Sequence, residues 1–127
     1  MKRYFLPTGA FFGFLAVMFG AFGAHYAKMH LTHEMFEVYK TATLYLFLHA
    51  LTLLAIGALI LIKDTCFLAL SGRMILGGAV LFSGSLYLYV FTGNNTFAHV
   101  TPFGGGLLAL GWFLLFINML RFNMTED

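Results

Sequence analysis

The side chain best equipped for chemistry is His49, which sits inside the apolar run TATLYLFLHALTLLAIG. Thr41, Tyr45, His49 and Thr52 recur at steps of four, four and three, so on a helix they share one face. His49 follows Lys40 by nine residues, a rise of roughly 13 Å, which puts it near the middle of a bilayer. An imidazole there can carry a proton, meet a ligand or join helices, and it must face protein or trapped water. The preferred reading is a neutral His49 bonded to a hydroxyl or carbonyl on a neighbouring helix, with Ser83, Ser85 and Tyr87 as candidate partners. The competing reading is a proton or ligand role. All 5 acidic residues, Glu34, Glu37, Asp64, Glu126 and Asp127, fall outside the apolar runs, whereas a pump or cation carrier needs an intramembrane carboxylate. The candidate intramembrane polar site is therefore Tyr45, His49, Thr52, Ser83, Ser85 and Tyr87.

Other reactive residue types do not assemble into motifs. His25, His30 and His33 lie near Glu34 and Glu37, but spacing of this kind is common and the cysteine partners of a structural zinc site are missing. Cys66 is the only cysteine. Phe82-Ser83-Gly84-Ser85 lacks the strand–turn–helix setting of a nucleophile elbow. No Lys-Ser/Thr follows Gly104-Gly105-Gly106, so it is not a phosphate loop. No catalytic residue, metal site or cofactor is expected, and no enzymatic activity.

The composition explains what must position His49. The 127 residues are 61% hydrophobic and only 9% charged, against roughly 25% charged in soluble domains. A net charge of +2 in scattered residues offers no patch for nucleic acid. The chain reads as one four-helix transmembrane domain with spans over about residues 5–24, 41–62, 67–92 and 102–121. The first run is about 20 residues, longer than the ~7–15 of a signal-peptide core, and is taken as a retained span. The second helix is expected to begin near Thr32. Gly93 suits a left-handed C-cap, while Thr101 and Pro102 suit the N-cap and first position of the fourth helix. The segment between the first two spans reads as interfacial, with Met29, Leu31, Met35 and Phe36 towards lipid, and His99 is placed in the second outer loop.

Short connections make successive helices antiparallel neighbours in an all-α, up-down bundle. Lys2, Arg3, Lys63, Arg73 and Arg121 then share one side against Lys28 and Lys40, which places both termini in the cytoplasm. Arg73 lies inside its span and is expected to snorkel. Small residues mark the packing faces. Gly9, Gly13, Ala16, Gly20 and Gly23 form a stripe on the first span, Gly77 and Gly84 on the third, and Gly104 and Gly111 on the fourth.

Several stretches together resemble the domain of unknown function 423 family of small membrane proteins, to which transmembrane protein 256 is also similar. They are Gly20-Ala21-Phe22-Gly23-Ala24-His25, Tyr45, His49-Ala50-Leu51, Leu81-Phe82-Ser83-Gly84-Ser85-Leu86-Tyr87, Thr101-Pro102-Phe103-Gly104-Gly105 and Gly111-Trp112. They cover nearly the whole chain in the family's order. Leu46 and Leu48 depart from the Gln and aromatic residue common there. The resemblance implies a four-span protein of the bacterial cytoplasmic membrane and brings no reaction or cofactor. The expected role is structural or accessory, exercised through membrane lipids, a second copy or a membrane-protein partner. The alternative is an oligomeric small-solute channel or transporter with His49 lining the path.

Overall fold

The computed structural model describes residues 3–125, with side chains through Phe122; Lys2, Glu126 and Asp127 of the charge balance lie outside the described residues. The backbone forms α1 (Phe5–His30), α2 (His33–Ile62), α3 (Cys66–Thr92) and α4 (Asn95–Thr125). All four are long and apolar enough to cross a membrane. Their ends follow local chemistry. The Thr32 and Thr65 hydroxyls each accept a backbone N–H in the first turn, from Met35 and Leu68 at 3.1 Å. Gly93 ends α3 at φ 71°, donating its N–H to the Tyr89 carbonyl.

Two expected boundaries move. The first helix does not stop at Ala24 but continues to His30 through a π-helical turn over Gly23–Ala27, so His25 and His30 are helical. Only Leu31 and Thr32 separate it from α2; Leu31, Met35 and Phe36 pack in part against the core, while Met29 is exposed. The fourth helix starts at Asn95, not Pro102. The Asn94 side-chain oxygen accepts the Thr96 N–H at 2.9 Å and thereby supplies the cap assigned to Thr101. Thr101 turns its hydroxyl to Ser85 at 2.6 Å, and His99 lies on the helix instead of in a loop. Pro102 is interior to α4 and offers no N–H to the Ala98 carbonyl, a gap that membrane helices tolerate when neighbours cover it.

α2 and α3 form the central pair. α1 packs along α2, and α4 packs along α3, while α1 and α4 share no packed interface among the described residues. The contacts run antiparallel: Gly104 meets Phe82, Leu108 meets Gly78 and Gly111 meets Ile75. Phe5, fully buried, reaches across to Gly72 of α3, and the Arg73 Nε donates to the Tyr4 hydroxyl at 3.0 Å from an exposed position. Large apolar side chains such as Phe11, Phe14, Phe103 and Phe113 stay exposed on the outer surface, as lipid-facing residues must.

The glycine stripes are redistributed. A Cβ at Gly9 would lie 2.9 Å from the Ala50 carbonyl oxygen, at Gly23 2.5 Å from the Tyr39 ring, at Gly104 2.5 Å from the Phe82 nitrogen and at Gly111 2.8 Å from Ile75. Gly13 and Gly77 have only ordinary contacts, at 4.0 and 3.4 Å. Gly20 and Gly84 have nothing within 4 Å and are not packing positions. Gly20 lines a groove of about 380 Å³ between α1 and α2, with the Tyr39 ring and Thr43 on its α2 wall. Gly84 falls between the side of α3 that Ser83 turns to α2 and the side that Ser85 turns to α4. Gly78, beside the expected Gly77, and Gly57 and Gly72, outside the expected stripes, are tight instead, with Leu108, Leu6 and Phe5 at 2.6–2.8 Å.

Candidate functional site

His49 projects from the middle of α2 and is 4% exposed. One ring nitrogen, Nδ1, lies 2.6 Å from the Tyr45 carbonyl one turn back, and the other, Nε2, lies 3.0 Å from the indole Nε1 of Trp112 on α4. The indole nitrogen only donates and the carbonyl only accepts. Both bonds are satisfied by one species, the neutral imidazole with its proton on Nδ1. This nitrogen-to-nitrogen bond ties α2 to α4, helices whose backbones do not pack against each other.

The partner of His49 is thus the indole of Trp112, not Ser83, Ser85 or Tyr87. Those three serve other joints. The Ser83 hydroxyl donates to the Ala42 carbonyl of α2 at 2.8 Å. Ser85 pairs with Thr101 of α4. Tyr87 lies 2.6 Å from the Thr43 hydroxyl, which itself donates to the Tyr39 carbonyl, so the phenol is the donor to Thr43. The Tyr39 hydroxyl donates to the Phe19 carbonyl of α1, and the rings of Phe19 and Tyr87 stack at 4.3 Å. Thr52 closes onto its own helix, on the Leu48 carbonyl at 2.8 Å, and the exposed Thr41 does the same to Glu37. The six candidate residues are therefore not one site. They form separate pairings, and among the described residues no buried side-chain nitrogen or oxygen lacks a partner.

Tyr45, His49 and Thr52 do share the wall of a cleft of about 490 Å³, completed by Phe82 of α3 and by Gly105 and Trp112 of α4. The rings run in series. Phe82 and Tyr45 have centroids 4.5 Å apart, Tyr45 and His49 6.0 Å at a shallow 26°, and His49 and Trp112 6.1 Å edge to face. Trp112 and Phe82 are the residues that sequence reasoning missed. The signal was available, since an indole N–H within a span needs an acceptor and a neutral imidazole supplies one. Elsewhere, His30 stacks on Tyr26 and bonds its carbonyl, and among the described residues no three His, Cys, Asp or Glu converge on a metal-sized site. Cys66 is exposed at the start of α3.

A family model described as protein of unknown function (DUF423) matches residues 19–105. UPF0382 membrane protein SAB0533 of Staphylococcus aureus is 36% identical over 122 residues, which cover 94% of this chain and 98% of that protein. A UPF0382 membrane protein of Haemophilus influenzae is 37% identical over 115 residues, covering 91% and 92%. UPF0382 inner membrane protein YgdD of Escherichia coli is 31% identical over 120 residues, covering 94% and 92%. No solved structure matches the chain. Four apolar helices, the matching family model and relatives aligned almost end to end agree: the chain belongs to the DUF423 (UPF0382) family of small membrane proteins.

Proposed function

We propose that this protein is a non-enzymatic component of the bacterial cytoplasmic membrane, with both termini cytoplasmic. It acts through the outer surface of its bundle, against lipid, a second copy of itself or a partner membrane protein. The observation that carries this reading is the pairing of interior polar groups from helix to helix. His49 is closed by Trp112, Ser83 by Ala42, Ser85 by Thr101 and Tyr87 by Thr43. Groups so engaged are not free to pass a solute along the bundle axis, and Glu34, Glu37 and Asp64 lie outside the hydrocarbon stretch. The cations Arg3, Lys63, Arg73 and Arg121 at one end, against Lys28 and Lys40 at the other, support the orientation.

The cleft beside His49 favours one second reading, an oligomer that closes around it to make a solute path. Proteoliposomes challenged with gradients of glycerol, urea, ammonium and acetate separate the two. Under the accessory reading they relax at the rate of protein-free liposomes. A protein-dependent flux that disappears in folded His49→Ala protein would establish the path instead.

A further inference from the structure

The cleft walled by Tyr45, His49, Phe82 and Trp112 opens sideways between α2 and α4. Its volume of about 490 Å³ lies within the roughly 300–1,000 Å³ of small-molecule sites. Three of its polar side chains are spoken for: His49 and Trp112 by each other, His49 also by the Tyr45 carbonyl, and Thr52 by the Leu48 carbonyl. The Tyr45 hydroxyl is not; it makes no hydrogen bond among the described residues. Tyr45 follows Lys40 by five residues, roughly 7.5 Å along the helix, a depth at which water is scarce and an unpaired hydroxyl is costly. Opposite the tyrosine, Gly105 and Ala109 keep the α4 wall low.

We propose that this cleft binds a lipid-dissolved molecule of the quinone class, a flat ring bearing carbonyl oxygens and an apolar tail. The ring lies along the aromatic series of Phe82, Tyr45, His49 and Trp112, one carbonyl accepts a hydrogen bond from the Tyr45 hydroxyl, and the tail leaves past Leu48 and Ala109 into the bilayer. A phospholipid acyl chain fills the same volume but leaves the hydroxyl unpaired and gains nothing from planar stacking. Binding alone is proposed, with no electron transfer. The site stands independently of the accessory role.

Trp112 is the chain's only tryptophan, so its emission reports directly from the cleft. The protein is placed in nanodiscs of phosphatidylethanolamine and phosphatidylglycerol and titrated with a dimethoxy-methyl-benzoquinone carrying a ten-carbon tail. Trp112 emission should be quenched saturably. Tyr45→Phe should weaken the apparent affinity about tenfold, the loss expected for one hydrogen bond, with thermal stability of the free protein equal or slightly higher because an unpaired hydroxyl is removed. Ala109→Phe, which fills the cleft, should abolish saturation. Quenching that rises linearly with probe and is equal in the wild-type and Tyr45→Phe proteins marks collision in the bilayer and overturns the proposal. So does a dimer, seen by native mass spectrometry, that already seals the cleft and that Ala109→Phe dissociates.

Discussion

Gly104→Leu should yield no folded protein, while Gly20→Leu, the same change in a glycine of the same expected motif, should be purified with unchanged thermal stability. At Gly104 the new Cβ would sit 2.5 Å from the Phe82 nitrogen and 2.9 Å from the Leu81 carbonyl carbon, which are backbone atoms with nowhere to go. The whole of α4 would have to lift from α3, breaking the neighbouring contacts of Gly78 with Leu108 and Gly111 with Ile75. Within a bilayer these close approaches supply much of the association energy, because no water is released when apolar helices meet. Gly104→Ala alone should cost roughly 1–3 kcal/mol, and leucine more than about 4 kcal/mol, the range that marks a broken core. At Gly20 nothing lies within 4 Å, so the change should stay within about 0.5 kcal/mol. Yield of folded protein after membrane extraction reads the two leucine variants, and thermal unfolding of purified Gly104→Ala and Gly20→Leu protein in a mild detergent reads the smaller losses. Equal loss at the two positions would mean that the helices do not meet where described.

Trp112→Phe and His49→Leu should each destabilise the protein by roughly 1–3 kcal/mol, and the double variant by less than their sum. Either single change strands one half of the nitrogen-to-nitrogen bond in a low-dielectric setting, the Nε2 of His49 in one case and the indole N–H in the other. Removing both leaves neither orphan. The coupling energy of the cycle should fall near the 0.6–1.7 kcal/mol range of interhelical hydrogen bonds in membranes. The glycine contacts therefore dominate folding, and the His49–Trp112 bond sets how α4 sits against α2. Strict additivity would show that the two side chains do not interact.

How far the sequence reaches differs between fold and site. Length and hydropathy suffice for four spans, because hydrocarbon thickness dictates both. Thr32 and Gly93 are legible as helix ends, since each carries the chemistry its position demands. The start of α4 is not, because Thr101-Pro102 and Asn94 both look like helix beginnings and only the pairing of Thr101 with Ser85 decides between them. Periodicity places Gly20 on the same face as Gly9, but it does not encode that Gly20 borders an open groove at that level instead of a close helix contact. The polar face of α2 is legible in the same limited sense. Tyr45, His49 and Thr52 line one cleft, yet the group that completes it is on α4, sixty-three residues further along, where sequence spacing carries no distance information.

A dry interior joined helix to helix is the central property of this bundle. Thiol accessibility in a lipid bilayer tests this most directly. In a Cys66→Ser background, single substitutions Thr52→Cys, Ser83→Cys, Ser85→Cys and Ala42→Cys are exposed to a charged, membrane-impermeant thiol reagent, alongside Lys63→Cys and Asn94→Cys at the two faces. The interior positions should remain unlabelled while the two at the faces react. A run of reactive positions continuous from one face to the other would mean water crosses the bundle, and the protein would then be a conduit.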